Sequence, residues 1–365
     1  MKHNNRKSLL FGLRSFSMLA LLTCALVYAG DDECLATGTF GFVCGLQNPE
    51  DLVLVPETDW IIASGMAPGA SIYLIDTQKK TWGDLYPGDA PLARQDMETY
   101  GACPGSPDPN AFVTHGLNVR PGNDGHSTLY VVGHGGREAI EVFDIDATGE
   151  SPVLTWTGCV MLPEGMVANS VTSLSDGSLL TTVPLFTDRT IAEAMAQKNT
   201  GAVFAWSPGD PGFVPVEGTG LPYGNGIEVS ADGQEFYVAS SGLFTVTAFS
   251  NTNPARVLRT TSTLAFVPDN IHMGPDGQLL TAGLIADDST CGNVRGPDEF
   301  DLEAFAACPR PFIVQSIDPE TMSGKAVLRG PANDRFSNIT MGLLVGEEIW
   351  MGTFAGDRVA YTAVQ

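Results

Sequence analysis

Six times along the chain a short apolar run gives way to a turn rich in Asp, Gly or Pro, then to a second apolar run ending in small residues. The copies are residues 52–65 (LVLVPETDWIIASG), 117–134 (LNVRPGNDGHSTLYVVGH), 171–183 (VTSLSDGSLLTTV), 227–240 (IEVSADGQEFYVAS), 271–283 (IHMGPDGQLLTAG) and 342–353 (GLLVGEEIWMGT). Four of the turns carry Asp-Gly, at Asp124-Gly125, Asp176-Gly177, Asp232-Gly233 and Asp276-Gly277. Glycine accepts a positive φ without steric cost, so this pair favours a tight hairpin. Further apolar segments at 71–75, 140–145 and 202–206 supply third and fourth strands. Six such units around a central channel make an all-β fold, a six-bladed β-propeller with four-stranded blades. A β-sandwich is the alternative. One stretch departs from the pattern: residues 188–199 (DRTIAEAMAQKN) read as a short helix, either a lid over the channel mouth or a surface insertion.

The N-terminus has a different logic. Lys2, Arg6, Lys7 and Arg14 precede an apolar run over residues 18–29, and Asp31 and Asp32 follow it. This is a signal-peptide pattern, with Val27-Tyr28-Ala29 as the cleavage site; uncleaved, it acts as a signal anchor. Residues 1–29 are therefore set apart from a propeller domain over 30–365. The expectation is a secreted, periplasmic or extracellular protein whose membrane contact is confined to that segment. Apart from Cys24 in the targeting segment, six cysteines remain, an even number suited to disulfides in an exported chain. Cys34 with Cys44 and Cys291 with Cys308 are plausible local pairs. Asn338-Ile339-Thr340 fits a glycosylation sequon. Nineteen Lys and Arg against 42 Asp and Glu give a net charge of −23, which repels nucleic acid as a partner.

The chemistry lies in the residues that open each repeat: Glu50-Asp51, His115-Gly116, Asn169-Ser170, Asn225-Gly226, Asp269-Asn270 and Thr340-Met341. The first strand of a propeller blade lines the channel, so these positions converge on the axis. Each Asn or Asp alone reads as a turn former; recurrence at one register points to a shared cation. Calcium takes six to eight oxygen ligands, and Glu50, Asn169, Asn225, Asp269 and Asn270 supply carboxylate and amide oxygens. The absence of thiolate or clustered imidazole argues against zinc and copper. His115 and His134 bracket the second hairpin, whose ends come together, so the two imidazoles can meet near the channel mouth as a base pair of groups. Met66, Phe112 and Phe186 hint at a lipophilic entrance, or are core.

The motifs Pro49-Glu50-Asp51-Leu52, Thr114-His115-Gly116-Leu117, LYVVGH over 129–134, Asn225-Gly226-Ile227 and Val267-Pro268-Asp269-Asn270-Ile271 resemble the paraoxonase family of calcium-dependent arylesterases and lactonases. The resemblance spans nearly the whole chain after the targeting segment. It implies two axial calcium ions, the catalytic one held by Glu50, Asn169, Asn225, Asp269 and Asn270, and a water-activating dyad of His115 and His134. A second calcium would use Asp51 and the Leu117 carbonyl, but Ser170 stands where the family has an acid. The C-terminal cysteine that closes the family's ring is also missing. The wider gluconolactonase and regucalcin relatives share the propeller and a single metal site without this histidine pair. The expected function is hydrolysis of a small-molecule lactone or ester. The alternatives are a sugar-lactone hydrolase and a non-catalytic, calcium-stabilised binding module.

Overall fold

The computed structural model describes residues 34–88, 91–295 and 300–364; the targeting segment and its cleavage site lie outside the described residues. Six antiparallel sheets follow one another around a ring. Blade 1 consists of Leu52–Leu54, Trp60–Ala63, Ile72–Asp76 and Thr81–Tyr86. Blade 2 runs Val113–Pro121, His126–His134, Ala139–Asp146 and Val153–Met161, with Leu92–Ala93 added in parallel at its outer edge. Blade 3 is Val171–Ser173, Leu179–Val183, Ala202–Trp206 and Val214–Pro215; blade 4 is Gly224–Val229, Glu235–Ser240, Thr245–Ser250 and Val257–Thr260. Blade 5 is Ile271–Met273, Leu279–Leu284, Phe312–Ile317 and Gly324–Gly330. The expected six-bladed propeller is thus the observed fold.

The near-continuous apolar strands have a direct cause. Each blade is covered on both faces, so successive side chains that point to opposite sides are all buried. In blade 2, Leu129 and Val131 pack toward blade 1, whereas Tyr130 and Val132 pack toward blade 3. Six apolar clusters result, one in each interface between neighbouring blades. Each fully buried large side chain in them contributes about 1.5–3 kcal/mol.

The last blade holds Ile339–Val345, Glu348–Thr353 and Arg358–Ala363, and its outermost strand is Gly41–Cys44 from the other end of the domain. Gly41 pairs with Tyr361 and Cys44 with Arg358. Ring closure therefore comes from backbone pairing and needs no C-terminal cysteine. Disulfides join Cys34–Cys44 and Cys291–Cys308, the two local pairs, and Cys103–Cys159.

The Asp-Gly turns behave as their chemistry requires. Gly177, Gly233 and Gly277 sit at φ of 89°, 70° and 75°. The Asp before each accepts from the amide two residues on, at Ser178, Gln234 and Gln278. Residues 188–199 contain helix α1 (Ile191–Met195), opened by a reciprocal capping box between Thr190 and Glu193. A second short helix, α2 (Leu302–Ala307), lies in the insertion bounded by Cys291–Cys308. The sequon asparagine is not a glycan acceptor in this fold: Asn338 is 2% exposed, and its amide donates to the Ala306 carbonyl at 3.0 Å.

Candidate metal and catalytic site

Three of the residues that open the inner strands sit at register shifts: Thr340, between Ile339 and Met341, and one each in blades 2 and 4. The ladder of blade 2 shifts register between Thr114 and Leu117, and that of blade 4 between Gly224 and Ile227. The residues within the bulges are His115-Gly116 and Asn225-Gly226, so local irregularity aims each functional side chain out of the sheet. The glycines let neighbouring blades touch. Gly116 N–H donates to the Asn169 carbonyl and Gly226 N–H to the Asp269 carbonyl, both at 3.1 Å. A Cβ on Gly116 would lie 2.6 Å from that carbonyl, and one on Gly226 would lie 2.5 Å from Ile271 N. Farther round, Asn270 N–H donates to Thr340 O, and the Thr340 hydroxyl donates to Glu50 O. The segments are thus stitched around the hub by backbone bonds and, next to Glu50, by the Thr340 hydroxyl.

Glu50, His115, Asn169, Asn225 and Asp269 line one cavity of about 270 Å³. Asn270 joins them by donating its side-chain N–H to Glu50 Oε1 at 2.6 Å. Four buried oxygens of this group, Glu50 Oε2, Asn169 Oδ1, Asn225 Oδ1 and Asn270 Oδ1, have no hydrogen-bond partner. One buried orphan costs about 1–3 kcal/mol, so three on cavity-lining residues, with the Asn270 oxygen beside them, call for a ligand of opposite charge. Among the described residues, no three His, Cys, Asp or Glu side chains cluster as metal ligands. The donors are instead amide oxygens with the carboxylates of Glu50 and Asp269, a set that suits a hard cation such as calcium. Burial, then the Asp269 and Asp51 charges, push the Glu50 carboxyl well above its ordinary value. Burial pushes Asp269 up to about 7. Both shifts arise first from burial, which disfavours the ionised carboxylate.

The histidine pair meets as its hairpin placement suggests. His115 Nδ1 and His134 Nε2 are 3.1 Å apart, with the rings edge to face. His115 Nε2 lies 3.8 Å from Glu50 Oε2. Burial, and secondarily His134, lower the His115 pKa to about 3, so it is a neutral imidazole at physiological pH. His134 stands behind it, and its Nδ1 meets Glu138 Oε2 at 2.6 Å.

Asp51 belongs to a different arrangement. It is fully buried and accepts from Leu52 N at 2.9 Å, Leu117 N at 2.7 Å and His272 Nε2 at 2.8 Å. Leu117 thus contributes its amide to Asp51. His272 Nδ1 is 3.8 Å from Glu228 Oε2. Burial alone would lower the His272 pKa, but Asp51 and Glu228 outweigh it and raise it to about 10. The buried imidazolium supplies positive charge between two carboxylates, and Ser170 adds no acid.

The cavity walls are apolar. Met66, Ile191 and Met195 of α1, Val267, Val294, Phe305 of α2 and Phe354 are among the other lining residues. The 188–199 segment therefore stands at the channel mouth. Of the other apolar candidates, Phe112 is core between blades 1 and 2, and Phe186 packs against the core between blades 2 and 3.

Sequence reasoning missed Tyr223 and Glu138. Tyr223 lines the cavity with φ of 48°, and burial, then Asp269 and Glu50, push its hydroxyl up to about 12. The amino-acid type gives no warning of that backbone conformation.

No protein-family model matches the chain, and no curated protein matches it. Solved structures do. A gluconolactonase of Xanthomonas campestris superposes with a TM-score of 0.53 at 15% identity, covering 89% of each chain. A luciferin-regenerating enzyme gives 0.53 at 11% identity, over 88% of this chain and 93% of that one. The calcium-binding protein regucalcin of Agrobacterium tumefaciens gives 0.52 at 11% identity, over 89% and 93%. At these identities the likeness establishes one thing, a propeller fold shared along almost the full length of each partner.

Proposed function

We propose that the protein is a calcium-dependent hydrolase of lactones or aryl esters, with Glu50, Asn169, Asn225, Asp269 and Asn270 holding the ion. The observation that carries this reading is the set of partnerless buried oxygens, three on cavity-lining residues and one on Asn270 beside them, at a cavity that also presents a neutral imidazole. When bound, a hard divalent cation supplies Lewis-acid polarisation of a carbonyl and stabilises the oxyanion. The chain's own residues do the rest. His115 presents Nε2 to the cavity as proton acceptor for an attacking water. His134 stands at hydrogen-bond distance behind it, ready to share that proton. Tyr223 keeps its O–H at physiological pH and offers a donor to substrate oxygen. The apolar walls strip water from the acyl portion.

The names of the structural neighbours favour a sugar lactone as the second reading. Met66, Met195, Val294 and Phe354 offer a polyol few partners, which favours an aliphatic or aromatic substrate. A single ion is proposed, because Asp51 is already engaged by three protein donors. Export is proposed with it; three disulfides suit an oxidising compartment.

The test is a panel of aliphatic γ- and δ-lactones, phenyl acetate and gluconolactone, assayed with calcium and with EDTA. Turnover of the aliphatic lactones or phenyl acetate that EDTA abolishes and calcium restores is expected. No turnover of any member with calcium, or turnover indifferent to EDTA, overturns the proposal.

A further inference from the structure

The hairpin between His126–His134 and Ala139–Asp146 is pinned at its tip. Gly135 has φ of 93°, and a Cβ there would lie 1.7 Å from the Ala111 carbonyl oxygen, so only glycine fits this turn. The Glu138 carbonyl accepts from Leu162 N at 3.0 Å, which fixes the returning limb. The turn thereby folds Glu138 back over His134, to the 2.6 Å contact at Nδ1. The nearest cation does not compete for this carboxylate. Arg137 is committed to buried Glu141 through two parallel bonds of 2.7 and 2.8 Å, and Glu141 also accepts from Trp156 Nε1.

We infer that Glu138 is a positioning residue that sets the tautomers of both histidines in series. A carboxylate accepts hydrogen bonds and cannot donate them, so His134 carries its proton on Nδ1 and donates to Glu138. His134 Nε2 is then a bare acceptor, 3.1 Å from His115 Nδ1. His115 must therefore carry its own proton on Nδ1 and donate it to His134. That leaves His115 Nε2 with its lone pair directed toward the Glu50 side of the cavity, 3.8 Å from Oε2. Reversing the chain would set the bare Nδ1 of His134 against a carboxylate, an electrostatic clash. A side chain one-third exposed at the rim thus dictates which nitrogen faces the cavity centre. A second cavity of about 290 Å³, lined by Asp108, Phe112, His134 and Arg137 among others, opens on this far side of the pair.

The tautomer part of the inference stands by itself; its catalytic consequence rests on the hydrolase reading. The experiment keeps the two apart. Long-range ¹H–¹⁵N correlation spectra of the ¹⁵N-histidine-labelled full chain, assigned with His115→Gln and His134→Gln, report the protonated nitrogen of each ring. The expected result is Nδ1–H on both rings in the wild type, and a mixture with Nε2–H in Glu138→Leu. Nε2–H on His134 in the wild type, or tautomers unmoved in Glu138→Leu, overturns the inference whether or not any lactone is turned over. Under the hydrolase reading, Glu138→Leu lowers kcat by about 10²-fold with KM and calcium affinity unchanged within about twofold, and Glu138→Asp recovers part of the loss. An equal loss in Glu138→Asp and Glu138→Leu, or a loss that falls on KM alone, overturns the catalytic part.

Discussion

Asn270 donates its side-chain amide to Glu50 Oε1 across 2.6 Å, joining residues 220 positions apart and leaving Glu50 Oε2 and Asn270 Oδ1 without partners. One bond therefore orients two donors toward the same cavity. Asn270→Ala removes an oxygen and releases the Glu50 carboxylate. Calcium affinity measured by titration calorimetry is expected to fall at least about tenfold, with the far-UV circular dichroism unchanged.

The two shifted carboxylates give the metal-free protein an unusual pH response. The folded pKa of Asp269, about 7, lies above its ordinary value of 3.8, and Glu50 shifts the same way. A carboxyl raised on folding destabilises the fold where it is ionised. The penalty is absent below about pH 4, grows as pH rises through 7, and stays constant above. In EDTA, Tm is expected to fall as pH is raised from 5 to 7.5, and saturating calcium to flatten that slope. A Tm in EDTA that rises over this window would contradict the assignment.

His115→Gln keeps the shape of the cavity and removes the proton acceptor. The expected outcome is a loss of about 10²- to 10⁴-fold in kcat for a responsive lactone, with calcium affinity within a few-fold of wild type. Steady-state kinetics at saturating calcium decide it.

Gly226 is where blades 4 and 5 meet at the hub. Gly226→Ala drives a methyl group into the Ile271 amide and the Asp269 carbonyl, both backbone and unable to swing aside. A stability loss of about 1–3 kcal/mol by chemical denaturation is expected, together with weakened calcium binding, because Asn225 and Asp269 move apart.

The buried His272 cation leads to a count and a curve. Metal analysis after gel filtration in calcium is expected to give one ion per chain. The His272 pKa, about 10 in the fold against 6.5 ordinarily, contributes stability that is complete below about pH 6.5 and lost as pH rises through 10. The advantage of wild type over His272→Gln in denaturation free energy is therefore expected to shrink steadily between pH 7 and pH 10.

The blades were legible because a two-faced strand writes a recognisable signature: Leu129, Tyr130, Val131 and Val132 are all apolar since both faces are covered. The inner-strand positions were legible through repetition, since symmetry about an axis brings five of the six opening residues to one cavity. What stayed hidden depends on contacts that no repeat encodes. His272 lies within a strand pattern, and its partner Asp51 is 221 residues away. Glu138 resembles any acid in a hairpin loop until Gly135 and the Arg137–Glu141 pair show why it faces His134. Gly41–Cys44 is too short to announce itself as a strand; only its pairing with Arg358–Ala363 reveals one.

That pairing has a temporal meaning. The ribosome makes Gly41–Cys44 long before Arg358–Ala363, so the earlier strand waits for the later one before it can take up this pairing. Five blades can accrete in order, but the torus stays an open arc until Arg358–Ala363 has been made. Glu50 shares in that delay, because it follows the early strand and Thr340, its neighbour across the seam, precedes the late one. The hub is therefore completed only when the ring closes, and a chain lacking Gly41–Cys44 or Arg358–Ala363 would retain blades yet have no finished hub.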